Sequence, residues 1–337
     1  MCDNASHNKY NVDLIVPQSI KNFLKIRKDY NLKNNFKIIS CFYNLPKLNF
    51  LYRIFFSIWA ACHAKKKKYN LVITRSFYSS FFLTLFKCNH FLEIHGKLRG
   101  LTNFIFLKLN FINSKYIIRN IFITNKIAIF FNLEKKKYIV LPDGFDQRDF
   151  NYKFTKTKKI ETITYTGSFY KGKGVELVIK LSRKFPKKKF FLYGNKSSSL
   201  YGRLPSNVKI FDYITYKNIP RVLRSSDLLL LPYSKKVYYN DRMKDDIGRF
   251  HSPLKMFEYL ATGRLIMASN NEALREVLKD NVNCLIVKNN RINSWKKKII
   301  FAENNIKKIN SIAKFALFSS KKYSWSKRFN KIANISH

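Results

Sequence analysis

The chain has 337 residues, of which 46% are hydrophobic, and a formal charge of +45 from 65 Lys and Arg against 20 Asp and Glu. Its apolar residues extend along the whole length, which excludes a globally disordered chain and suffices for two domains with separate cores. The five cysteines have neither paired nor metal-type spacing, so the sequence predicts no disulfide framework, no zinc site and a reducing, cytoplasmic setting.

Short apolar strands alternate with segments of helical periodicity from one end of the chain to the other. In the first half, the predicted strands are 12–16, 36–41, 70–74, 90–95, 120–124 and 138–141, with amphipathic stretches at 50–63 and 101–113. In the second half, they are 162–166, 189–193, 208–211, 228–232, 265–269 and 283–287.

This alternation predicts an α/β protein with parallel sheets and right-handed crossovers. Twelve strands are too many for one comfortable sheet, and the Lys-rich stretch 151–159 interrupts the rhythm midway. We therefore expect two Rossmann-like, doubly wound domains that meet near residue 150 and face each other across a cleft. Ligands of such sheets bind beyond the carboxyl ends of the strands, so the following loops are the candidate site.

The first candidate loop, YTGSFYKGKG at 165–174, follows a predicted strand and opens a helix. Gly167, Gly172 and Gly174 would let the backbone approach a ligand, and the helix N-terminus offers unpaired N–H groups. Lys171 and Lys173 add positive charge at the same point. The loop has the composition of a phosphate cradle, although it lacks the Gly-Lys-Ser/Thr order of a Walker loop and an ordinary strand-to-helix turn is the alternative.

The second candidate segment, HSPLKMFEYLATG at 251–263, predicts a buried helix that starts in a loop. Ser252 is a suitable N-cap, Pro253 suits the first helical position, and Gly263 suits the C-terminal stop. Glu258 lies among apolar residues, where a carboxylate needs a partner. Either it forms a structural ion pair with a Lys or Arg, or it accepts hydrogen bonds from sugar hydroxyls while the helix N-terminus faces phosphate oxygens.

Several segments together resemble the retaining GT-B glycosyltransferases of the group 1, or family 4, type. From residue 162 to residue 331 the resemblance rests on YTGSFYKGKG, NVKIF (207–211), DLLLLPY (227–233), SPLKMFEYLATG (252–263), ASNNEALRE (268–276) and YSW (323–325). In the first half, VLPDGFD (140–146) resembles the crossing into the hinge, and LVITR (71–75) and EIHG (93–96) resemble ends of acceptor-domain strands. Their common order and spacing carry the resemblance.

The resemblance implies an acceptor-side domain at 1–150, a donor domain at 151–315 and a C-terminal helix at 316–337 that packs back on the first domain. The acceptor-side domain would lack the usual first strand, because residues 11–17 correspond to the second. The implied activity is transfer of a sugar from a UDP- or GDP-sugar to a glycan or lipid-linked acceptor, with retention. The sequence shows no metal-ligand cluster, and positive protein groups can take the role of a metal ion, so we expect neither a metal nor another cofactor. Polysaccharide biosynthesis in the cytoplasm, or at the inner face of the cell membrane, would follow.

The resemblance also assigns roles to single residues at the donor phosphates. Lys173 would neutralise the diphosphate, beside the backbone of Gly167 and Ser168. Ser252, Pro253 and Leu254, at the start of the second helix, would hold the distal phosphate.

The resemblance also assigns residues to the ribose, the base and the reacting sugar. Glu258 would bind the ribose hydroxyls, and Tyr213 would lie near the base. His95 would face the reacting sugar or the acceptor, the alternative being a histidine satisfied by backbone groups at a strand end. The predicted catalytic residues are thus His95, Lys173 and Glu258.

Two positions depart from the family pattern. The family usually has Arg where Ser168 stands, so one phosphate-binding charge is missing or is supplied from elsewhere. The first Glu of its Glu-x7-Glu motif falls at Phe250, for which Asp245, Asp246 or His251 are the candidate substitutes.

The charge and the 16% aromatic content leave other functions open. A nucleic-acid-binding protein is one, but the charge is spread over both halves and no helix-turn-helix, zinc-finger or RNA-binding signature is present. A second is an inactive GT-B relative in an envelope-glycan assembly.

The lysine runs at 65–68, 135–137 and 187–189 are either solvated faces or attractive to anionic lipid. The apolar stretches 55–62 and 81–86 are too short to span a bilayer, and no signal peptide is predicted.

Overall fold

The computed structural model describes residues 1–18, 23–42, 50–98, 100–194, 204–238, 246 and 248–336. The strands are β1 Asp13–Gln18, β2 Lys37–Phe42, β3 Ile73–Thr74, β4 His90–Ile94, β5 Ile117–Phe122, β6 Tyr138–Val140, β7 Thr162–Thr166, β8 Lys189–Tyr193, β9 Val208–Phe211, β10 Leu228–Leu231, β11 Leu265–Ser269 and β12 Leu285–Val287. Each corresponds to one of the strands predicted from the sequence.

Helices separate most of the strands. They are α1 Cys2–His7, α2 Phe23–Asp29, α3 Phe50–Lys67, α4 Phe77–Leu85, α5 Gly100–Asn103, α6 Asn125–Phe131, α7 Val175–Ser182, α8 Ile219–Arg224, α9 Leu254–Thr262, α10 Glu272–Arg275, α11 Ile292–Asn304, α12 Ile306–Ser320 and α13 Trp325–Ser336. Within the described ranges, no helix is both long and apolar enough to cross a bilayer.

The chain forms two compact units. The first comprises residues 1–27, 32–142 and 325–337, and the second comprises residues 28–31 and 143–324. The units thus divide at Pro142 and Asp143, before the Lys-rich stretch on which the expected boundary near 150 was based. The last segment of the first unit is α13, which begins at Trp325 rather than at residue 316.

The first unit contains two parallel sheets. One consists of β1 and β2, and the other has the order β3-β4-β5-β6. The inner residues Phe91, Ile121 and Leu141 pack against Ile332 of α13, so the C-terminal helix covers one face of the four-stranded sheet.

A buried ion pair fastens α13 to that sheet. Arg328 Nη1 donates to Glu93 Oε2 of β4 over 2.8 Å, and both side chains are about 5% exposed or less. Arg328 also donates to the carbonyl oxygens of Leu141 and Pro142, over 3.3 and 3.0 Å. A buried guanidinium with this many acceptors meets the condition under which burial of a charge is tolerated.

The second unit is a six-stranded parallel sheet of order β12-β11-β10-β7-β8-β9. This order is that of a doubly wound Rossmann sheet, in which the strand order reverses between the first and fourth strands, here β7 and β10. Alternate residues of β10 face opposite sides, because side chains alternate along a strand. Leu228 and Leu230 pack with α7, α11 and α12, whereas Leu229 and Leu231 pack with α8, α9 and α10.

Candidate functional site

A cavity of about 310 Å³ opens in the second unit at the carboxyl ends of its strands. Its lining residues come from the segments that follow β7, β8, β9 and β10 and from the start of α9. They are Thr166, Gly167, Ser168, Lys173, Tyr193, Tyr213, Ile214, Ile219, Tyr233, Pro253, Leu254, Lys255 and Glu258. The cavity therefore lies at the edge of the sheet where the sequence predicts a ligand site.

The loop after β7 adopts a conformation that only glycine permits easily. Gly174 has φ of 84°, and a Cβ atom there would lie 2.0 Å from the carbonyl oxygen of Pro232. Gly174 is the N-cap of α7, which begins at Val175 without a side-chain cap. The first N–H groups of α7 thus lack an internal acceptor, as expected at an anion-binding helix start.

The start of α9 differs from the expectation by one residue. The N-cap is Pro253 and the helix begins at Leu254, again without a side-chain cap. The prediction that Ser252 caps the helix is wrong, because its Oγ accepts the backbone N–H of Asp143 over 3.1 Å. Gly263 ends the helix with φ of 65°, as predicted.

Helix α9 is bonded to the end of β7 through one residue of that strand. The Thr166 N–H donates to the Tyr259 hydroxyl over 2.9 Å, and Lys255 Nζ donates to the Thr166 carbonyl oxygen over 2.7 Å. Lys255 and Glu258 are three residues apart and so lie on the same side of the helix. The bond to Thr166 holds Lys255 at the cavity wall, and Glu258 lines the same cavity.

Two lysines bring positive charge to the cavity. Burial lowers the pKa of Lys173 to about 8. Burial, followed by the charge of Lys173, lowers the pKa of Lys255 well below its ordinary value. Both ammonium groups face the ring of Tyr233, with Nζ-to-centroid distances of 5.1 Å for Lys173 and 4.9 Å for Lys255. Sequence reasoning missed Lys255, although its position three residues before Glu258 was a usable signal.

The Glu258 carboxyl group is buried beside these cations. Burial raises its pKa to about 7, against the opposing effects of a hydrogen bond from the Tyr216 hydroxyl and of the charge of Lys255. The raised pKa argues against a structural ion pair at Glu258, and the reading as a ligand-binding carboxylate stays a prediction. A carboxylate whose charge was well compensated would show a lowered pKa instead.

We expect Glu258→Gln to stabilise the ligand-free protein at high pH. A carboxyl group with a pKa of about 7 in the folded state and 4.5 in the unfolded state costs stability when ionised, up to about 3 kcal/mol. This cost is absent at a pH below the pKa of Glu258 in the unfolded state, and it is complete at a pH above its pKa in the folded state. Urea unfolding at about pH 5 and about pH 9 should therefore show an advantage of the variant that grows with pH. A difference independent of pH would contradict the expectation.

Aromatic side chains line the outer part of the cavity. The rings of Tyr193 and Phe211 stack with centroids 4.7 Å apart and planes 12° from parallel. Tyr213, predicted to lie near a base, lines the cavity and is 60% exposed. Flat, accessible rings of this kind suit stacking with a planar ligand group.

His95 lies in the first unit, directly after β4. Its Nδ1 is 2.9 Å from an Nη atom of Arg75, and its Nε2 is 2.5 Å from Glu93 Oε1. Because an arginine can only donate, Nδ1 is the acceptor and Nε2 carries the proton given to Glu93. His95 is thus satisfied at the strand end by side chains, not by the backbone groups considered above. To act as a general base, the ring must first leave one of these partners.

The candidates for the missing glutamate do not reach the cavity in the described part of the chain. Asp246 Oδ1 accepts the backbone N–H groups of Val237 and Gly248, and Asp245 lies outside the described residues. His251 packs against the ring of Tyr233, with centroids 5.2 Å apart. Neither Phe250 nor His251 is among the described residues that line the cavity. The described residues include no group of three or more His, Cys, Asp or Glu arranged to hold a metal ion.

Solved structures share the fold of nearly the whole chain. A glycosyltransferase from Rickettsia africae matches with a TM-score of 0.74 and 16% identity, over 99% of this chain and 92% of the other. HepE of Anabaena, in complex with UDP-glucose, matches with a TM-score of 0.71 and 14% identity, over 99% and 93%. Sucrose-phosphate synthase of Thermosynechococcus elongatus matches with a TM-score of 0.71 and 12% identity, over 99% and 90%. The predicted GT-B fold is thereby confirmed.

Sequence comparison assigns the family. No curated protein matches the chain by sequence. The model of the glycosyl transferases group 1 family matches residues 146–316, which include every residue that lines the cavity. The chain belongs to the group 1 glycosyltransferases.

Proposed function

We propose that the protein transfers a sugar from a nucleoside diphosphate sugar to a hydroxyl group of a glycan or lipid-linked glycan, and that the donor occupies the cavity of the second unit. The observation that carries this proposal is the meeting of Lys173, Lys255 and the uncapped start of α9 at one cavity, with the uncapped start of α7 two residues after Lys173. Such an arrangement suits an anion with several phosphate oxygens.

The chemistry requires stabilisation of a departing diphosphate. As the bond between the anomeric carbon and the phosphate oxygen breaks, negative charge grows on that oxygen. Lys173 and the N–H groups of α7 and α9 are placed to stabilise it, which lowers the barrier because they need no rearrangement at the moment of reaction. We propose that these groups suffice without a metal ion, because positive protein groups can take its role. Undiminished turnover after treatment with a metal chelator is the expected result.

The nucleoside would lie toward the aromatic part of the cavity. Glu258 would accept hydrogen bonds from the ribose hydroxyls, and the base would lie against Tyr193 or Tyr213. HepE binds UDP-glucose, and this supports a uridine donor for the present chain. Because the pKa of Glu258 is about 7 in the empty site, hydrogen bonds donated by ribose should favour its ionised form and release a proton near neutral pH.

The proposed stereochemistry and the proposed acceptor have separate grounds. Retention of the anomeric configuration is proposed from the family resemblance. An acceptor at a membrane surface is supported by the exposed side chains Leu101, Phe104 and Leu109, which are within eight residues of Lys108 in the sequence of the first unit. Apolar side chains beside lysines suit shallow contact with anionic lipid.

The test is a ligand screen followed by a transfer assay. Unfolding temperature is measured with UDP, GDP, ADP and their sugars, and random-sequence DNA serves as the competing ligand. A nucleotide at about 100 times its Kd should add about 2.7 kcal/mol of stability, and this gain should shrink in Lys173→Ala and Glu258→Ala.

The possible outcomes separate the candidate functions. Binding followed by turnover of a sugar nucleotide supports the enzyme. Binding without turnover, for every donor and for glycan and lipid-linked acceptors, would indicate an inactive relative. If none of the nucleotides binds, the proposed function is wrong.

A further inference from the structure

We propose that Lys255 is a second phosphate-binding cation of the donor site and acts together with Lys173. This inference rests on the proposed function, because it concerns the phosphates of the same donor. Lys255 is not among the residues to which the family resemblance assigns a role, and its surroundings in the second unit point to this one.

The position of the Lys255 ammonium group is set by the loop after β7. It donates to the carbonyl oxygen of Thr166 over 2.7 Å. It also lies 3.1 Å from the point that a Cβ atom of Gly167 would occupy. The group therefore lies against the glycine loop and lines the cavity together with Gly167 and Ser168. An ammonium group has three N–H bonds, and Thr166 is its one hydrogen-bond acceptor among the described residues.

Two aromatic rings, and no carboxylate at ion-pair distance among the described residues, surround the Lys255 ammonium group. Nζ lies 3.9 Å from the ring centroid of Tyr165 and 4.9 Å from that of Tyr233. Cation–π contacts favour the charged form of Lys255 and so offset part of the cost of its burial, which lowers its pKa. Lys173 faces the same Tyr233 ring at 5.1 Å, so two cations flank one buried side chain.

The charges around the cavity favour the binding of an anion. The nearest carboxyl group of α9 is Glu258, whose burial raises its pKa to about 7 and thus weakens it as a counter-charge. Two ammonium groups in a partly dehydrated cavity repel each other, and a diphosphate would relieve that repulsion while accepting their hydrogen bonds. Ser168 lines the same cavity wall, so the arginine that the family usually carries at this position would add its charge there, and Lys255 would supply a cation in its place.

The alternative is a structural role in which Lys255 only ties α9 to β7. That role predicts a loss of stability without a specific loss of affinity for phosphates. The two roles are separated by comparing a nucleoside diphosphate with its nucleoside, because only the first carries the group that Lys255 would contact.

The experiment is isothermal titration calorimetry of Lys255→Met with UDP, GDP, uridine and guanosine. We expect the Kd of the bound nucleoside diphosphate to rise about 10- to 100-fold, as for loss of a charge-assisted hydrogen bond, while the Kd of its nucleoside stays within about twofold. Lys236→Met, which removes an exposed lysine outside the lining of the cavity, should leave both values unchanged. Equal losses for nucleotide and nucleoside, or no loss, would overturn the inference.

A rescue variant provides an independent test. Ser168→Arg restores a cation to the same wall, so the double variant Ser168→Arg, Lys255→Met should regain most of the affinity for the nucleoside diphosphate. A structural role predicts no rescue. If Lys255→Met does not fold, Lys255→Gln takes its place with the same expectations, because its amide keeps a donor for Thr166.

Proton uptake offers a readout on the unmodified protein. At about pH 9, where Glu258 is already ionised, binding of a nucleoside diphosphate should draw protons onto the lysines. Titrations in two buffers of different ionisation enthalpy measure this uptake, which should fall in Lys255→Gln. If the wild type binds no nucleotide, the proposed function fails. If it binds nucleotide and the lysine variants bind it equally well, only the present inference fails.

Discussion

Replacing Lys173 by Met is expected to lower the turnover of the sugar nucleotide about 10²- to 10³-fold, the usual loss when one preorganised group that stabilises transition-state charge is removed. Lys173 lines the cavity, follows the glycine loop and immediately precedes the N-cap of α7. Its charge should contribute more in the transition state than in the ground state, because the leaving diphosphate is then more negative. The measurement is the steady-state rate with the donor that the ligand screen selects.

The affinity for the nucleoside diphosphate product separates the contribution of Lys173 to binding from its contribution to the chemical step. The Kd of the corresponding nucleoside diphosphate should rise about 10- to 100-fold, because the product already carries the full charge that the transition state develops. The control is Lys180→Met, which removes an exposed lysine of α7 away from the cavity. Equal turnover in Lys173→Met and the wild type would exclude Lys173 from the chemistry.

Replacing Arg328 by Met is expected to lower the free energy of unfolding of the first unit by about 3–5 kcal/mol. The change leaves Glu93 buried without its main counter-ion and removes the donors that serve the carbonyl groups of Leu141 and Pro142. Urea unfolding followed by a probe in the first unit measures the effect. Lys331→Met, at an exposed position of α13 three residues along, should change stability by less than about 0.5 kcal/mol.

The pH dependence of this stability loss shows whether the broken ion pair between Arg328 and Glu93 causes it. Burial alone would raise the pKa of Glu93, but hydrogen bonds from His95 and the charge of Arg328 outweigh it and lower the pKa to about 2. The contribution of the pair is therefore complete above the unfolded pKa of 4.5 and is lost as pH falls toward 2. The stability difference between the wild type and Arg328→Met should shrink in that window. A constant difference would point to lost packing of the arginine stem instead.

Much of the cavity could be predicted because parallel sheets collect their loops at one edge. Residues distant in sequence meet there, namely Gly167, Ser168, Lys173, Tyr213, Pro253, Leu254 and Glu258. Ser252 and His95 are not among the lining residues, since Ser252 accepts the N–H of Asp143 and His95 lies in the first unit. The chemical roles assigned to these residues remain predictions.

The sequence by itself determined the number, order and approximate bounds of the strands, because side-chain period and length distinguish buried strands from helices. It also determined the glycine turn before α7 and the end of α9, since those backbone conformations exclude most other residues. Tertiary structure alone decided that Lys255 reaches the loop after β7 and that Arg328 meets Glu93, 235 residues away in sequence. Whether such side chains meet depends on which strand and helix become neighbours. It also depends on the exact residue at which the helix begins. A shift of one residue turns a side chain by about 100°, from the cavity to the core, and local sequence patterns do not fix it.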